Sequence, residues 1–235
     1  MSENGLMSHA HVLVHPSPLG ARAQDFLTAH ARVVPVEAGP SDDECRAAMR
    51  SVLGHSDESA LTTFRRIQQR YSGLTYFSHF RGAEIVFEPS FEVDRDTAQV
   101  LFEYAVMDVT PDGCRSGLVR PDEAVWFGFL HVDVPAFPSL DHFLECDALL
   151  HHARQQRLLS AATPLDANAY LTALRARHPG LRPVKSASGF SVGWWSDDER
   201  LVYVNGFEAR LAADGRAMSP VPTVVTTWLI DEPLR

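Results

Sequence analysis

Residues 59–87 read SALTTFRRIQQRYSGLTYFSHFRGAEIVF, and this stretch decides the fold class. Its first half repeats apolar side chains at the spacing of one helix face, namely at Leu61, Phe64, Ile67 and Tyr71. Asp57 precedes this helix, where an acid interacts favourably with the helix dipole. Gly73 follows the last periodic residue, and glycine adopts a left-handed C-cap at the lowest cost. The chain then turns through residues 74–77 into a β-like run at 83–87, so we predict a helix, a glycine stop and a strand.

Further helices are predicted from caps and apolar spacing. Ser41 lies three residues before Glu44, which is the spacing of a capping box, and the helix that it opens should end near Gly54. Ser139 caps a long helix, with its core side predicted at Leu140, Phe143, Leu144, Ala148 and Leu149. A short helix is predicted over residues 21–31, and another from Thr163-Pro164 towards Gly180.

The remaining apolar runs predict strands. Residues 100–107 are compatible with a strand or a short helix, whereas 125–132 are apolar nearly throughout and favour a central strand. Near the C-terminus the spacing of the apolar side chains changes from that of a helix to that of a strand. We predict four strands there, at residues 190–195, 200–205, 207–211 and 223–230. Asp197-Asp198 and Asn205-Gly206 supply hairpin turns, and the second is typical of type I′. Three loops are predicted at residues 1–20, at 35–40 and at the turn Pro111-Asp112-Gly113.

These elements predict one α+β domain over residues 1–235. Its mixed or antiparallel sheet is flanked by helices, and residues 186–235 add a C-terminal antiparallel β-meander. A chain of 235 residues is long enough to bury a substantial core. No apolar run approaches the roughly 18 residues of a membrane span, and the N-terminus lacks the pattern of a secretory signal. Three widely separated cysteines argue against a disulfide framework and predict a cytoplasmic protein.

The net charge of −9 is unevenly distributed. Residues 84–147 carry fourteen acids against three arginines, a balance of −11, whereas residues 148–185 carry six bases against one acid, a balance of +5. The acidic block should repel polyanions, which argues against nucleic acid as its partner. It either attracts a cationic protein or forms a solvated face that aids solubility. A third interpretation is a homo-oligomer in which the acidic block docks on the basic segment of another copy.

One motif suggests a hydrolase. Residues 189–193 read GFSVG and match the G-x-S-x-G nucleophile elbow, which requires a strand before the serine and a helix after it. Trp194-Trp195 and a hairpin turn follow instead, and no histidine occurs after His178 to act as the base. We therefore interpret Ser191 as a strand residue and predict no catalytic residue.

Several groups of side chains resemble incomplete metal sites. One group has helical i, i+3, i+4 spacing but lacks a further ligand: His142, Glu145 and Cys146. A second lies on the loose N-terminus: His9, His11 and His15. Asp94 and Asp96 form an acid-x-acid pair without a phosphate-binding loop. Nothing nearby beyond Arg115 lowers the pKa of Cys114. We predict neither a metal nor a cofactor.

The run from Phe64 to Leu74, FRRIQQRYSGL, resembles the signature of the SUKH superfamily, in which a helix ends in an aromatic residue and a glycine turn leads into a sheet. Trp126-Phe127-Gly128 and the helix over residues 139–149 are similar to the later strand and the closing helix of that family. The resemblance covers roughly residues 41–160. It implies an α+β fold that acts by protein binding, and bacterial members are typically immunity proteins that neutralise secreted toxins, often nucleases.

The acidic block agrees with that implication, because nucleases tend to be cationic and an acidic inhibitor would compete for their groove. We therefore predict a non-enzymatic protein-binding module with a basic, toxin-like partner. The candidate contact residues are Glu84, Glu88, Glu92, Asp94, Asp96, Asp108 and Asp112, with Tyr76 or Phe77 as a buried aromatic anchor. The alternative is an enzyme or small-molecule-binding domain, with a pocket between the core sheet and the C-terminal meander.

Overall fold

The computed structural model describes residues 10–94, 99–106, 117–129, 132–207, 209–210, 222–231 and 234. Within these ranges the chain forms five α-helices: α1 (Ala21–His30), α2 (Asp42–Leu53), α3 (Glu58–Tyr71), α4 (Leu140–Arg154) and α5 (Ala167–Arg177). A single 3₁₀ turn spans Lys185–Ala187. The helices accompany two antiparallel sheets, so the predicted α+β class is confirmed.

The first sheet has seven strands, and their spatial order is their order along the chain. They are β1 (Arg32–Val33), β2 (Leu74–Ser78), β3 (Ala83–Asp94), β4 (Gln99–Val106), β5 (Gly117–Val119), β6 (Val125–Phe129) and β7 (Val132–Phe137). Every neighbouring pair is antiparallel. The pairing of β2 with β3 places Phe77 directly opposite Glu84.

The second sheet has five strands in the order β8-β12-β11-β10-β9. They are β8 (Arg157–Ala162), β9 (Arg182–Pro183), β10 (Val192–Ser196), β11 (Arg200–Asn205) and β12 (Val224–Leu229). Strands β9 to β12 form the predicted C-terminal antiparallel meander, and β8 pairs with the outer side of β12.

The helix starts follow from short-range hydrogen bonds. The Ser41 hydroxyl accepts from the Glu44 amide while the Glu44 carboxylate accepts from the Ser41 amide, so the predicted capping box of α2 is present. Asp57 caps α3, Ser139 caps α4 and Asp166 caps α5 by the same chemistry. Each cap satisfies amide groups that have no partner inside the helix.

One hydrophobic cluster contains buried side chains from both sheets. On the side of the first sheet, Phe143 of α4 contacts Phe127 and Phe137, with ring centroids 5.4 Å apart in both cases. On the side of the second sheet, the Trp194 indole N–H donates to Cys146 Sγ at 3.4 Å. Helix α4 therefore packs against both sheets, which explains why nine of its residues are buried.

The junction between α3 and β2 is tightly packed. Gly73 has φ +76°, and a Cβ atom there would lie 2.2 Å from the carbonyl oxygen of Val34. Its amide donates to the carbonyl of Phe87 at 2.8 Å, which ties the end of α3 to β3. Residues 74–77, which we expected to form a turn, belong to strand β2, because the backbone of β2 pairs with both β1 and β3.

Other elements differ from the sequence prediction because strand pairing depends on distant partners. Residues 125–132 do not form one central strand: they belong to the antiparallel pair β6 and β7, and β7 lies at the edge of the sheet. Residues 100–107 contain a strand, β4. Helix α5 starts after Asp166 rather than at Thr163-Pro164, because it is the Asp166 side chain that accepts from the first free amides of the helix.

Asn205-Gly206 does not form a type I′ hairpin turn. The Asn205 side chain accepts from the Phe207 amide at 3.0 Å, and residues 207, 209 and 210 are helical rather than strand-forming. Asp197-Asp198 does form a tight connection, because the Asp197 carboxylate accepts from the amides of Glu199 and Arg200. The predicted turn at Pro111-Asp112-Gly113 lies outside the described residues.

None of the helices in the described ranges combines the length and the apolar character that crossing a bilayer requires.

Candidate functional site

Helix α4 holds the connection between β2 and β3 through one buried carboxylate. Asp147 has no exposed surface. Its Oδ1 accepts from the Phe80 amide at 2.7 Å, and its Oδ2 accepts from the Tyr76 hydroxyl at 2.9 Å. Burial raises the pKa of Asp147 to about 6, although these donors favour the ionised form. The β2–β3 hairpin is therefore fixed to α4 by a group that ionises only near neutral pH.

Three histidines from three elements meet beside this anchor. His30 ends α1, His79 lies in the β2–β3 connection, and His151 lies in the last turn of α4. His79 Nε2 is 2.9 Å from His151 Nδ1, and the His30 and His151 ring centroids are 4.4 Å apart. Phe26 packs against the same group, 5.3 Å from the His151 centroid. We call His30, His79 and His151 the histidine cluster.

A hydrogen bond from Arg154 fixes which nitrogen of His79 carries the proton. Its guanidinium donates to His79 Nδ1 at 3.1 Å, so that nitrogen carries no proton and His79 holds its proton on Nε2. His79 then donates to His151 Nδ1, which leaves the His151 proton on Nε2. Gln155 lies 2.8 Å from that nitrogen and accepts its hydrogen bond when the amide is turned so that the oxygen, rather than the nitrogen, faces His151. Burial, with Arg154 nearby, lowers the pKa of His79 to about 4 and that of His151 below its usual range.

Phe77 joins the histidine cluster to the acidic strand β3. Its side chain is 48% exposed, and its ring centroid lies 5.4 Å from that of His79. On the opposite strand Glu84 accepts from Arg32 at 2.6 Å, so one of the predicted contact carboxylates is already paired. Glu88, further along β3, is exposed. This surface therefore combines an exposed aromatic ring with carboxylates on one side and imidazoles on the other.

Two of the other predicted contact residues lie on β3 and one lies in the core. Glu92 is exposed on β3, and Asp94 ends that strand. Tyr76 is 1% exposed, and its hydroxyl is engaged by Asp147, so it belongs to the core and is not an aromatic anchor at the surface. Three further acids lie outside the described residues: Asp96, Asp108 and Asp112.

A cavity of about 350 Å³ opens between the start of α1, helix α4 and the segment from β9 to the 3₁₀ turn. Its charged lining residues are Arg22, Glu145 and Lys185. The Glu145 carboxylate accepts from the Gly20 amide and thereby occupies the N-terminus of α1. The cavity lies beside the C-terminal sheet, and none of its described lining residues belongs to a strand of the first sheet, so it is not the pocket expected between the core sheet and the meander.

The motifs that suggested an enzyme have structural explanations. Ser191 precedes β10 and donates to the Pro135 carbonyl at 3.3 Å, without a following helix. A Cβ atom at Gly189 would lie 2.0 Å from the Ala136 carbonyl oxygen, so close packing requires the first glycine of the motif. Cys146 is buried against Trp194. Among the residues that the structure describes, no group of three or more potential ligands is arranged to hold a metal ion.

No protein-family model, curated protein or solved structure matches this chain. The histidine cluster was missed in the sequence because its members lie far apart along the chain and share no local spacing. The only local signal is that His30 and His151 both fall in the last turn of a helix, where cationic side chains are favoured.

Proposed function

We propose that this chain is a non-enzymatic, cytoplasmic protein-binding module that uses the exposed surface around Phe77 and β3. One observation carries the proposal: Phe77 is 48% exposed on a strand whose neighbour presents Glu84, Glu88 and Glu92. Aromatic side chains contribute most of the energy of many interfaces, and surrounding charges speed and orient the encounter.

A basic, toxin-like partner fits this surface best, and we propose that the chain acts as an immunity protein. The acidic block of residues 84–147 supports a cationic partner, because complementary fields attract at long range. The resemblance of residues 41–160 to the SUKH superfamily supports the same role. Cys45 and Cys146 are free thiols, in keeping with a reducing compartment.

The cavity supports a second candidate function, which is binding of a small polar molecule between α1, α4 and the C-terminal sheet. Its volume of about 350 Å³ is sufficient for a small ligand. Arg22 and Lys185 would bind an anionic group of that molecule, whereas Glu145 would repel it.

The test is affinity capture from the native host at low salt, followed by elution with rising salt and mass spectrometry. The binding-face variant carries Phe77→Ala, Glu88→Lys and Glu92→Lys; Glu84 is kept because its ion pair with Arg32 supports the sheet. The matched control reverses three exposed acids elsewhere, at Asp25, Glu37 and Asp198.

We expect one basic protein to be retained by the wild type and by the control, to be lost from the binding-face variant, and to elute as salt rises. With that protein purified, Phe77→Ala alone should raise Kd by at least about tenfold, because an exposed aromatic anchor typically contributes more than 1.4 kcal/mol. Equal retention of the same protein by wild type and binding-face variant would contradict the proposal.

A further inference from the structure

We propose that His79, His151 and Arg154 form an acid-sensitive latch, which holds the β2–β3 hairpin against the end of α4 at neutral pH and releases it on acidification. The latch consists of two contacts between these elements. Arg154 donates to His79 Nδ1 at 3.1 Å and to the His79 carbonyl at 3.4 Å, and His79 donates to His151 Nδ1 at 2.9 Å.

The direction of these hydrogen bonds explains why the latch requires neutral rings. A pair of histidines ordinarily accommodates one extra proton, because a charged ring donates to a neutral one. Here a proton on His151 Nδ1 would require His79 Nε2 to accept, which moves the His79 proton to Nδ1. That nitrogen faces the Arg154 guanidinium, which is itself a donor. Any added proton therefore breaks either the contact with Arg154 or the contact between the two rings.

The groups around the latch also disfavour positive charge. From α1, His30 contacts the His151 ring, and from α4, His152 adds a fourth imidazole whose own pKa is lowered by burial and by Arg22. Burial and Arg154 lower the pKa of His79, with further contributions from His151 and His30. The negative end of the α4 dipole favours a cation here, but Arg154 already occupies that position.

One acid of α4 lies beside the latch. Asp147 accepts from the Phe80 amide and the Tyr76 hydroxyl, and it also interacts with the Ser78 side chain and the His79 backbone, so it binds the same connection that carries the His79 ring. Tyr203 and Cys146, which burial keeps in their neutral forms, are further titratable groups close to Asp147. Asp147 gains a proton in the folded chain near pH 6, so its charge is lost before His79 protonates near pH 4.

Release of the latch would alter the surface of the proposed function, since Phe77 packs on His79 at 5.4 Å. This consequence rests on the proposed function: acidification should weaken binding of the partner through Phe77. The latch itself is a property of the isolated chain and is tested without a partner, so the two proposals can fail separately.

The test compares the wild type with Arg154→Gln, which removes the donor that fixes the His79 tautomer. Arg157→Gln is the matched control, because Arg157 is an exposed arginine three residues further along the chain, at the start of β8. Imidazole nitrogen shifts are followed by NMR from pH 7.5 to pH 4.5. We expect His79 to remain in the Nε2–H form below pH 5 in the wild type and in Arg157→Gln, and to titrate at least about one pH unit higher in Arg154→Gln.

Thermal unfolding provides the second measurement. His79 has a lower pKa in the folded chain than in the unfolded chain, so its own contribution to stability falls as pH decreases from 6.5 to about 4. Asp147 contributes with the opposite sign, but it does so equally in the wild type and in both arginine variants. If the pKa of His79 is one pH unit higher in Arg154→Gln, the midpoint of the wild type should fall about 3 °C further than that of the variant between pH 7 and pH 4. The comparison uses the change of the unfolding midpoint with pH. A loss of stability that is the same at every pH therefore does not affect it.

Either of two results would overturn the latch. One is titration of His79 near its ordinary pKa in the wild type. The other is a pH profile of Arg154→Gln that superimposes on those of wild type and Arg157→Gln. As an independent check, His79→Gln should also reduce the dependence on pH, whereas His55→Gln, at an exposed loop position, should leave it unchanged.

Discussion

Asp147 illustrates how one residue can organise a region that is remote in sequence. Its carboxylate accepts from a backbone amide of the β2–β3 connection and from the hydroxyl of Tyr76, about seventy positions earlier in both cases. A buried ionised carboxylate is costly unless its oxygens accept hydrogen bonds, and here both oxygens do. Removing these donors would therefore leave a buried charge without compensation.

Asp147→Asn removes the charge and keeps an oxygen that can accept from Phe80. In the wild type the pKa of Asp147 is raised from 3.8 to about 6 on folding, so the folded chain binds this proton more tightly and gains stability as pH falls through this range. The variant lacks that gain. Its free energy of unfolding, relative to wild type, should fall by about 2 kcal/mol between pH 7.5 and pH 4.5, as measured by urea denaturation.

Asp25→Asn is the control for this experiment, because Asp25 is an exposed acid on α1. Its stability difference from the wild type should stay nearly constant over the same pH range. A difference for Asp147→Asn that is equally constant would show that Asp147 has the same pKa in the folded and unfolded chains.

The histidine cluster marks the limit of sequence reasoning at the residue scale. Capping residues such as Ser41 and Ser139 were identified because their partners lie three residues away. His30, His79 and His151 come together only when α1, the β2–β3 connection and α4 have packed. Tyr76 and Phe77 were equivalent candidates for an aromatic anchor in the sequence, but neighbouring strand residues point to opposite faces, so Phe77 is exposed and Tyr76 lies in the core.

At the scale of elements, the helices were predicted better than the strands. A helix is defined by its own spacing and caps, whereas a strand is defined by a partner that is often distant. Residues 125–132 show the difference, because their continuous apolar character resembles one buried strand although the chain reverses within them. Asn205-Gly206 carries a strong hairpin signal, but the Asn205 side chain starts a helical turn there instead.

The junction between α3 and β2 provides a test at this scale. Gly73→Ala places a Cβ atom 2.2 Å from the Val34 carbonyl oxygen at φ +76°, whereas Gly54→Ala has φ +80° and no atom within 4 Å. Both variants carry the cost of a left-handed alanine, about 1 kcal/mol, and only the first adds a steric clash. We expect Gly73→Ala to lose about 3 kcal/mol or more in the free energy of unfolding, and Gly54→Ala about 1 kcal/mol.

Chemical denaturation of the two glycine variants measures both losses. Equal losses would mean that Val34 moves away at little cost and that β1 is only loosely attached to the end of α3. The Val34 amide donates to the Gly73 carbonyl at 2.8 Å, so such a movement would also break this hydrogen bond.

At the scale of the whole molecule, α4 connects the two sheets. Phe143 packs on the first sheet and Cys146 on the second, and both side chains have no exposed surface. The sequence predicted the buried side of α4 correctly, but it did not predict that this helix contacts the C-terminal meander. The spacing of apolar residues shows that a side chain is buried but not which sheet it contacts.

The alkylation rates of the two buried thiols, Cys45 and Cys146, measure how often the packed structure opens. Burial raises the pKa of both Cys45 and Cys146, so neither forms a thiolate readily in the folded chain. In native buffer at pH 7.5, alkylation of both should be at least about a thousandfold slower than in urea, because the folded state must first open. Peptide mass spectrometry after timed alkylation resolves the two sites.

Similar rates at Cys45 and Cys146 would indicate that the molecule opens as a whole. Reaction of Cys146 at the rate observed in urea would contradict the prediction and would mean that Trp194 separates from α4 in the folded chain. Addition of thiol reagent at several concentrations distinguishes slow opening from slow chemistry, since only the latter depends on reagent concentration.

The strand order of the second sheet has a consequence for the growing polypeptide on the ribosome. Strands of the first sheet can pair one after another as they emerge, since each neighbour in space is the next in the chain. Strand β8 instead waits for β12, which inserts between it and β11. Until synthesis has passed Leu229, the leucines of β8 have no partner strand, so this nascent segment exposes an unpaired apolar strand that is prone to aggregation.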